Sequence, residues 1–130
     1  MKKKITSKIA NCLCGGVKIR IKGKLRHVIN CHCSQCLKTH GNYAAYTECP
    51  DDKINFINKT TLKWYHSSKI AKRGFCSICG ASIFYKLLKS ENISIDVENT
   101  SRSLPSNCAA SDSVPRNSRL DAKRMACLKY

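Results

Sequence analysis

The stretch CLCGGVKIRIKG, residues 12–23, places two cysteines and two glycines directly before an alternating run. Val17, Ile19 and Ile21 alternate with Lys18, Arg20 and Lys22, and Gly16 and Gly23 bound the run. That is the period of a strand with one buried and one wet face. Similar short runs follow: NYAAYTE at 42–48, KINFIN at 53–58, LKWYHSS at 62–68, ASIFYKL at 81–87 and NISI at 92–95. Several are rich in β-branched or aromatic residues. Glycines, Pro50 with Asp51 and Asp52, and NKT at 58–60 punctuate them. No segment shows a sustained 3.6-residue period, so the pattern predicts a mainly β domain. A core this small would gain much from metal staples.

The bulk numbers agree with a stapled domain. The chain has 130 residues, the length of one domain, with 42% hydrophobic and only 7% aromatic residues. Ten cysteines in that length imply a staple, either disulfide or metal. The start MKKKITSKIANCLCGG is basic like an export signal, but Lys8 and Asn11 interrupt any apolar stretch. No window approaches 18 apolar residues, so no membrane span is expected. The expectation is therefore a cytoplasmic protein, where close-set thiols favour metal over disulfide. The formal charge is +16. One four-thiolate and one three-thiolate zinc site would lower it to about +13. That attracts polyanions or an anionic substrate. The lysines form no run beyond Lys2–Lys4, however, and read as a solvated surface.

Residue usage changes near residue 95. Up to Ile95 the chain has 12 Ile, 15 Lys and 3 Arg; from Asp96 on it has no Ile, 2 Lys and 4 Arg. The later part has six serines and no alternating apolar pattern. Residues 1–95 are thus expected to form the zinc domain. Residues 96–130 are expected to form an atypical tail, disordered or derived from a frameshift.

The cysteines sort into two groups. The pair Cys12 and Cys14 in CLCGG and the pair Cys76 and Cys79 in CSICG are each followed by glycine. Glycine lets the chain turn tightly and aim backbone N–H groups at the sulfurs. Two such pairs, far apart in sequence, suit one closed tetrahedral zinc site; buried free thiols or redox pairs are the alternative. The group in NCHCSQC, residues 30–36, is Cys31, Cys33 and Cys36. Cys49 stands alone on a predicted strand and reads as a small core residue. His32, central in an extended Cys-x-Cys, points away from the sulfurs. His40 could reach the group but reads as an exposed polar residue. Three thiolates and one open position are the default, and an open position marks catalytic rather than structural zinc.

At these residues the chain resembles the glutathione-dependent formaldehyde-activating enzyme family, which includes centromere protein V. The carrying motifs are C-x-C-G-G at Cys12–Gly16, C-H-C-S-x-C at Cys31–Cys36 and F-C-x-x-C-G at Phe75–Gly80. The resemblance covers roughly residues 5–95. After the last motif, SIDVENTSRS replaces the family's usual Gly-Thr-Leu-Asp-like turn. The resemblance implies a small zinc-stapled β-tent fold with two zinc ions per chain. Cys12, Cys14, Cys76 and Cys79 would hold the structural zinc. Cys31, Cys33 and Cys36 would hold the second and carry catalysis. It implies a carbon–sulfur lyase that joins glutathione, a small thiol, to formaldehyde as S-hydroxymethylglutathione. No general base stands out among His32, His40 and Tyr43. The competing classes are a basic zinc-stapled module that binds nucleic acid and an inactive truncated relative. Few aromatics and no basic stripe weigh against nucleic acid.

Overall fold

The computed structural model describes residues 7–100. Its nine strands are β1 (Ser7–Asn11), β2 (Val17–Lys22), β3 (Ile29–Cys31), β4 (Ala44–Pro50), β5 (Ile54–Lys59), β6 (Leu62–His66), β7 (Ala71–Cys76), β8 (Ser82–Leu87) and β9 (Asn92–Asp96). One helix, α1 (Ser34–His40), follows β3, and short 3-10 turns cover Asp51–Lys53 and Val97–Asn99. All pairings are antiparallel. They make a three-stranded sheet, β1-β2-β5, and a six-stranded sheet, β3-β4-β9-β8-β7-β6. The fold is the small mainly β fold expected. No helix among the described residues is long and apolar enough to cross a membrane.

The alternating run of β2 behaves as its period demands. Val17, Ile19 and Ile21 are buried, while Lys18, Arg20 and Lys22 are exposed. The buried face meets Phe84, Ile83, Ile93 and Ile95 of the larger sheet, with Cys12, Cys49 and Cys76 in the same cluster. Cys49 is thus a core residue. Phe84 sits at the centre, stacked on Trp64 at 5.7 Å and edge-on to Phe56 at 5.9 Å. A second, smaller cluster holds Cys31, Cys36, Ala44 and Tyr46, with Cys33 and Tyr85 packed against it.

Two features differ from the sequence-based expectation. Helix α1 has only seven residues, too few to display a period. Its ends are nevertheless well defined. The Cys33 sulfur accepts the Cys36 N–H at 3.4 Å. Gly41, at φ 86°, closes the helix with its N–H on Leu37 O, a left-handed cap that favours glycine. The second difference concerns the change of residue usage between residues 95 and 96, which falls inside β9. That strand lies between β4 and β8, Asp96 is 4% exposed, and Thr100 bridges to Ala10. The described fold therefore includes residues 96–100. The rest of the expected tail, 101–130, lies outside the described residues.

Gly74 lies where two core rings close on the backbone. A Cβ there would stand 2.9 Å from Phe84 Cδ2 and 3.1 Å from two atoms of the Trp64 ring. Neither ring can move without disturbing the stack between them. Gly74→Ala is predicted to destabilise the protein by about 1–3 kcal/mol, measured as a lower midpoint in thermal or denaturant unfolding.

Candidate metal centres

The first cysteine group is built from two turns that the sheets bring face to face. Cys12 and Cys14 follow β1, and Gly15, at φ 77°, reverses the chain toward β2. Cys76 ends β7, and Gly80, at φ 74°, reverses the chain toward β8. The sulfurs of Cys12, Cys14, Cys76 and Cys79 all lie within 4.8 Å of one another. Cys12 and Cys14 are 3.6 Å apart, and Cys14 and Cys76 are 3.5 Å apart. Tetrahedral thiolates at a zinc–sulfur distance of about 2.3 Å would stand about 3.8 Å apart, so the four sulfurs fit such an ion. Backbone donors already serve the sulfurs. Val17 N–H reaches Cys12 Sγ at 3.2 Å and Cys79 N–H reaches Cys76 Sγ at 3.5 Å. The Thr61 hydroxyl lies 3.1 Å from Cys76 Sγ.

These donors set the acidity of the thiols. Burial works against ionisation of Cys76, but the Cys79 N–H, the Thr61 hydroxyl and the Ile78 N–H outweigh it and bring the thiol down to about 6. The Ala81 and Cys14 N–H groups lower Cys79. Cys14 goes the other way. The Gly16 N–H favours its thiolate, yet the bond to Cys76 and desolvation together push it up to about 11. Without metal, the group therefore carries its negative charge on Cys76 and keeps a proton on Cys14.

The second group sits where β3 runs into α1. Cys31 ends the strand, Cys33 caps the helix and Cys36 lies in its first turn. Their three sulfurs also lie within 4.8 Å of one another. No further histidine, cysteine or carboxylate among the described residues joins them. The Cys31 sulfur is disulfide-bonded, so it can serve as a thiolate ligand only once that bond is reduced. Burial opposes ionisation of Cys33, but the Cys36 N–H and thiol, the Gln35 N–H and the Arg73 charge lower it. Burial and the bond to Cys33 raise Cys36, against the pull of Arg73.

His32 stays exposed and lies against Tyr43 at 5.2 Å between ring centroids; neither joins the sulfurs. His40 corrects the expectation of an exposed residue. Its side chain is 9% exposed, and its Nε2 stands 3.0 Å from Asp96 Oδ2 and 3.3 Å from the Tyr46 hydroxyl. Asp96 belongs to the segment set aside as a tail, so this pair could not be read from composition. Arg73 was also missed. It donates to Cys36 Sγ at 3.7 Å, to Gln35 Oε1 at 3.2 Å and to the Tyr46 hydroxyl at 3.3 Å. A signal existed: the two-residue period of β7 puts Arg73 on the buried side with Ala71.

Comparison with known proteins adds two findings. Residues 7–111 match the family model described as glutathione-dependent formaldehyde-activating enzyme, which extends past the 5–95 expected. A crystal structure of a Rhodobacter sphaeroides protein, a structural genomics target, superposes with a TM-score of 0.64 at 20% identity, over 78% of this chain and 94% of that one. At that identity the likeness concerns the fold. No curated protein matches the chain.

The acidities of the first group predict how the metal-free, reduced protein responds to pH. Cys76 titrates near 6 when folded, below its ordinary value of 9.0. Its thiolate therefore stabilises the fold fully above pH 9, and that contribution is lost as pH falls toward 6. Cys14, raised to about 11 from 9.0, contributes below pH 9 and loses that contribution as pH rises toward 11. Unfolding midpoints in urea should rise from pH 6 to a maximum near 9 and then fall. Thr61→Val should move the rising limb upward in pH. A midpoint independent of pH across this range would contradict the assignment.

Proposed function

The chain belongs to the glutathione-dependent formaldehyde-activating enzyme family, and from that membership we propose that it is a carbon–sulfur lyase joining a small thiol to formaldehyde. The family as a whole stands for glutathione-dependent formaldehyde activation. Glutathione is the proposed thiol, S-hydroxymethylglutathione the product, and the reducing cytoplasm the compartment that keeps these cysteines available. We further propose zinc as the metal at both centres, with Cys12, Cys14, Cys76 and Cys79 as the structural ligands. Cys31, Cys33 and Cys36 are the proposed catalytic ligands.

The observation that carries this reading is the inequality of the two groups. One brings four sulfurs together and the other three, with no fourth ligand atom among the described residues. A closed set suits structure, and a set of three suits exchange of a fourth ligand. A metal ion held by Cys31, Cys33 and Cys36 would supply Lewis-acid chemistry, lowering the pKa of a substrate thiol.

The rest is the work of the chain. Cys33 is held by the Cys36 N–H, and Cys36 by the Arg73 guanidinium, so the sulfurs are oriented before any substrate arrives. Gln35 ties α1 to the far loop through Ser67 O at 3.5 Å and to β7 through Arg73. Tyr46 and Tyr85 pack against the group. In the reaction the thiol gives up its proton and its sulfur bonds to the formaldehyde carbon. The carbonyl oxygen receives the displaced electron pair and a proton. The reverse breaks the same C–S bond, and no oxidant is needed in either direction. The positive surface draws the glutathione carboxylates toward the protein.

Cys33→Ala tests the assignment. In the reduced protein it should lose one metal of two, by elemental analysis, and should abolish catalysed exchange between formaldehyde and its glutathione adduct, followed by NMR. Loss of one metal with full turnover would remove this centre from the reaction.

A further inference from the structure

Arg73 is a buried cation that the metal-ligand reading leaves unexplained. It is 8% exposed, and its guanidinium packs over the Tyr85 ring at 5.0 Å. Its Nη1 donates to the Tyr46 hydroxyl, and its Nη2 donates to Gln35 Oε1 and Cys36 Sγ. Its Nε is buried without a partner. Among the described residues, none of the ion pairs to a carboxylate includes Arg73. Asp96, whose charge also acts on Tyr46, pairs with His40.

A buried guanidinium needs a facing anion, because leaving water is costly for an unpaired charge. Tyr46 and Gln35 offer neutral oxygens. With a metal bound and Cys31 reduced, the anion that faces it is the thiolate group, reached through Cys36. This gives Arg73 a consequence for chemistry as well as for packing. A divalent ion with three thiolates carries a net charge of −1, and a fourth anionic ligand adding to it meets repulsion. A guanidinium beside one of those sulfurs brings the centre to neutrality. We propose that Arg73 is a specificity-determining residue that allows the three-cysteine centre to take its fourth ligand as an anionic thiolate rather than as a neutral donor. This rests on the reading that the centre holds a metal and receives a substrate thiol.

A unit charge within about 4–6 Å shifts a thiol–thiolate equilibrium by roughly 1–3 decades. Removing Arg73 should therefore weaken thiolate binding at least about tenfold and leave a neutral ligand unaffected. The test uses full-length protein loaded with cobalt(II) under a phosphine reductant, titrated in parallel with 2-mercaptoethanol and with imidazole. Visible absorption reports the fourth ligand directly, independent of turnover. Arg73→Gln should bind 2-mercaptoethanol at least about tenfold more weakly than the unmodified protein, bind imidazole within twofold of it, and keep both cobalt ions. Arg73→Lys should recover most of the thiol affinity. Arg73→Met, which fills the same space without a polar group, repeats the measurement where the glutamine variant does not fold. Equal weakening of thiol and imidazole, unchanged thiol affinity, or loss of the second cobalt from a folded variant would each overturn the proposal. An unmodified protein that shows no thiol-induced change would instead overturn the proposed function and the inference with it.

Discussion

The four sulfurs of Cys12, Cys14, Cys76 and Cys79 are the constraint on which the rest of the molecule depends. They join the turn after β1 to the turn after β7, two segments separated by more than sixty residues of chain. Cys12 and Cys76 are fully buried in the same cluster as Val17, Ile19 and Phe84. The sulfurs are thus core atoms and candidate ligands at once. A chain with 7% aromatic residues has little surplus burial to draw on. A metal that binds only the folded arrangement would add its binding free energy to folding.

Strand β7 links the two centres. Its last residue, Cys76, belongs to the first group, and Arg73, three residues earlier, faces the second. Arg73 and Cys76 are three residues apart, so strand alternation alone turns Arg73 toward α1 and Cys76 into the opposite core. The absence of a side chain at Gly74 lets Trp64 and Phe84 approach at this point. The geometry of the three-cysteine group is therefore tied to that of the four-cysteine group through a single short strand, and disturbing the latter would displace the cation beside Cys36.

Much of this was legible in the sequence, for definite reasons. The alternation of β2 reports its environment because one face is dry and the other wet. The glycine after each Cys pair reports a turn, and Gly15 and Gly80 do take left-handed backbone. The grouping of seven cysteines into sets of four and three follows from spacing, and the structure brings the same sets together. What could not be read was long-range polar pairing. The period of β7 turns Arg73 inward, but its partners Gln35, Cys36 and Tyr46 come from distant elements that only the folded sheets bring to it. His40 looks exposed until Asp96, fifty-six positions later, is folded against it. Helix α1 is stabilised by the Cys33 sulfur and Gly41 rather than by an amphipathic stripe, so periodicity could not reveal it.

The central claim is that one centre is closed by four sulfurs and the other takes three with an exchangeable fourth ligand. X-ray absorption at the metal edge of the reduced, metal-replete protein tests it most directly. Two zinc ions per chain with an average of three and a half sulfurs and half a light atom each would agree, and excess thiol should raise the average toward four sulfurs. A single metal per chain, or an average of four sulfurs already present without added thiol, would contradict it.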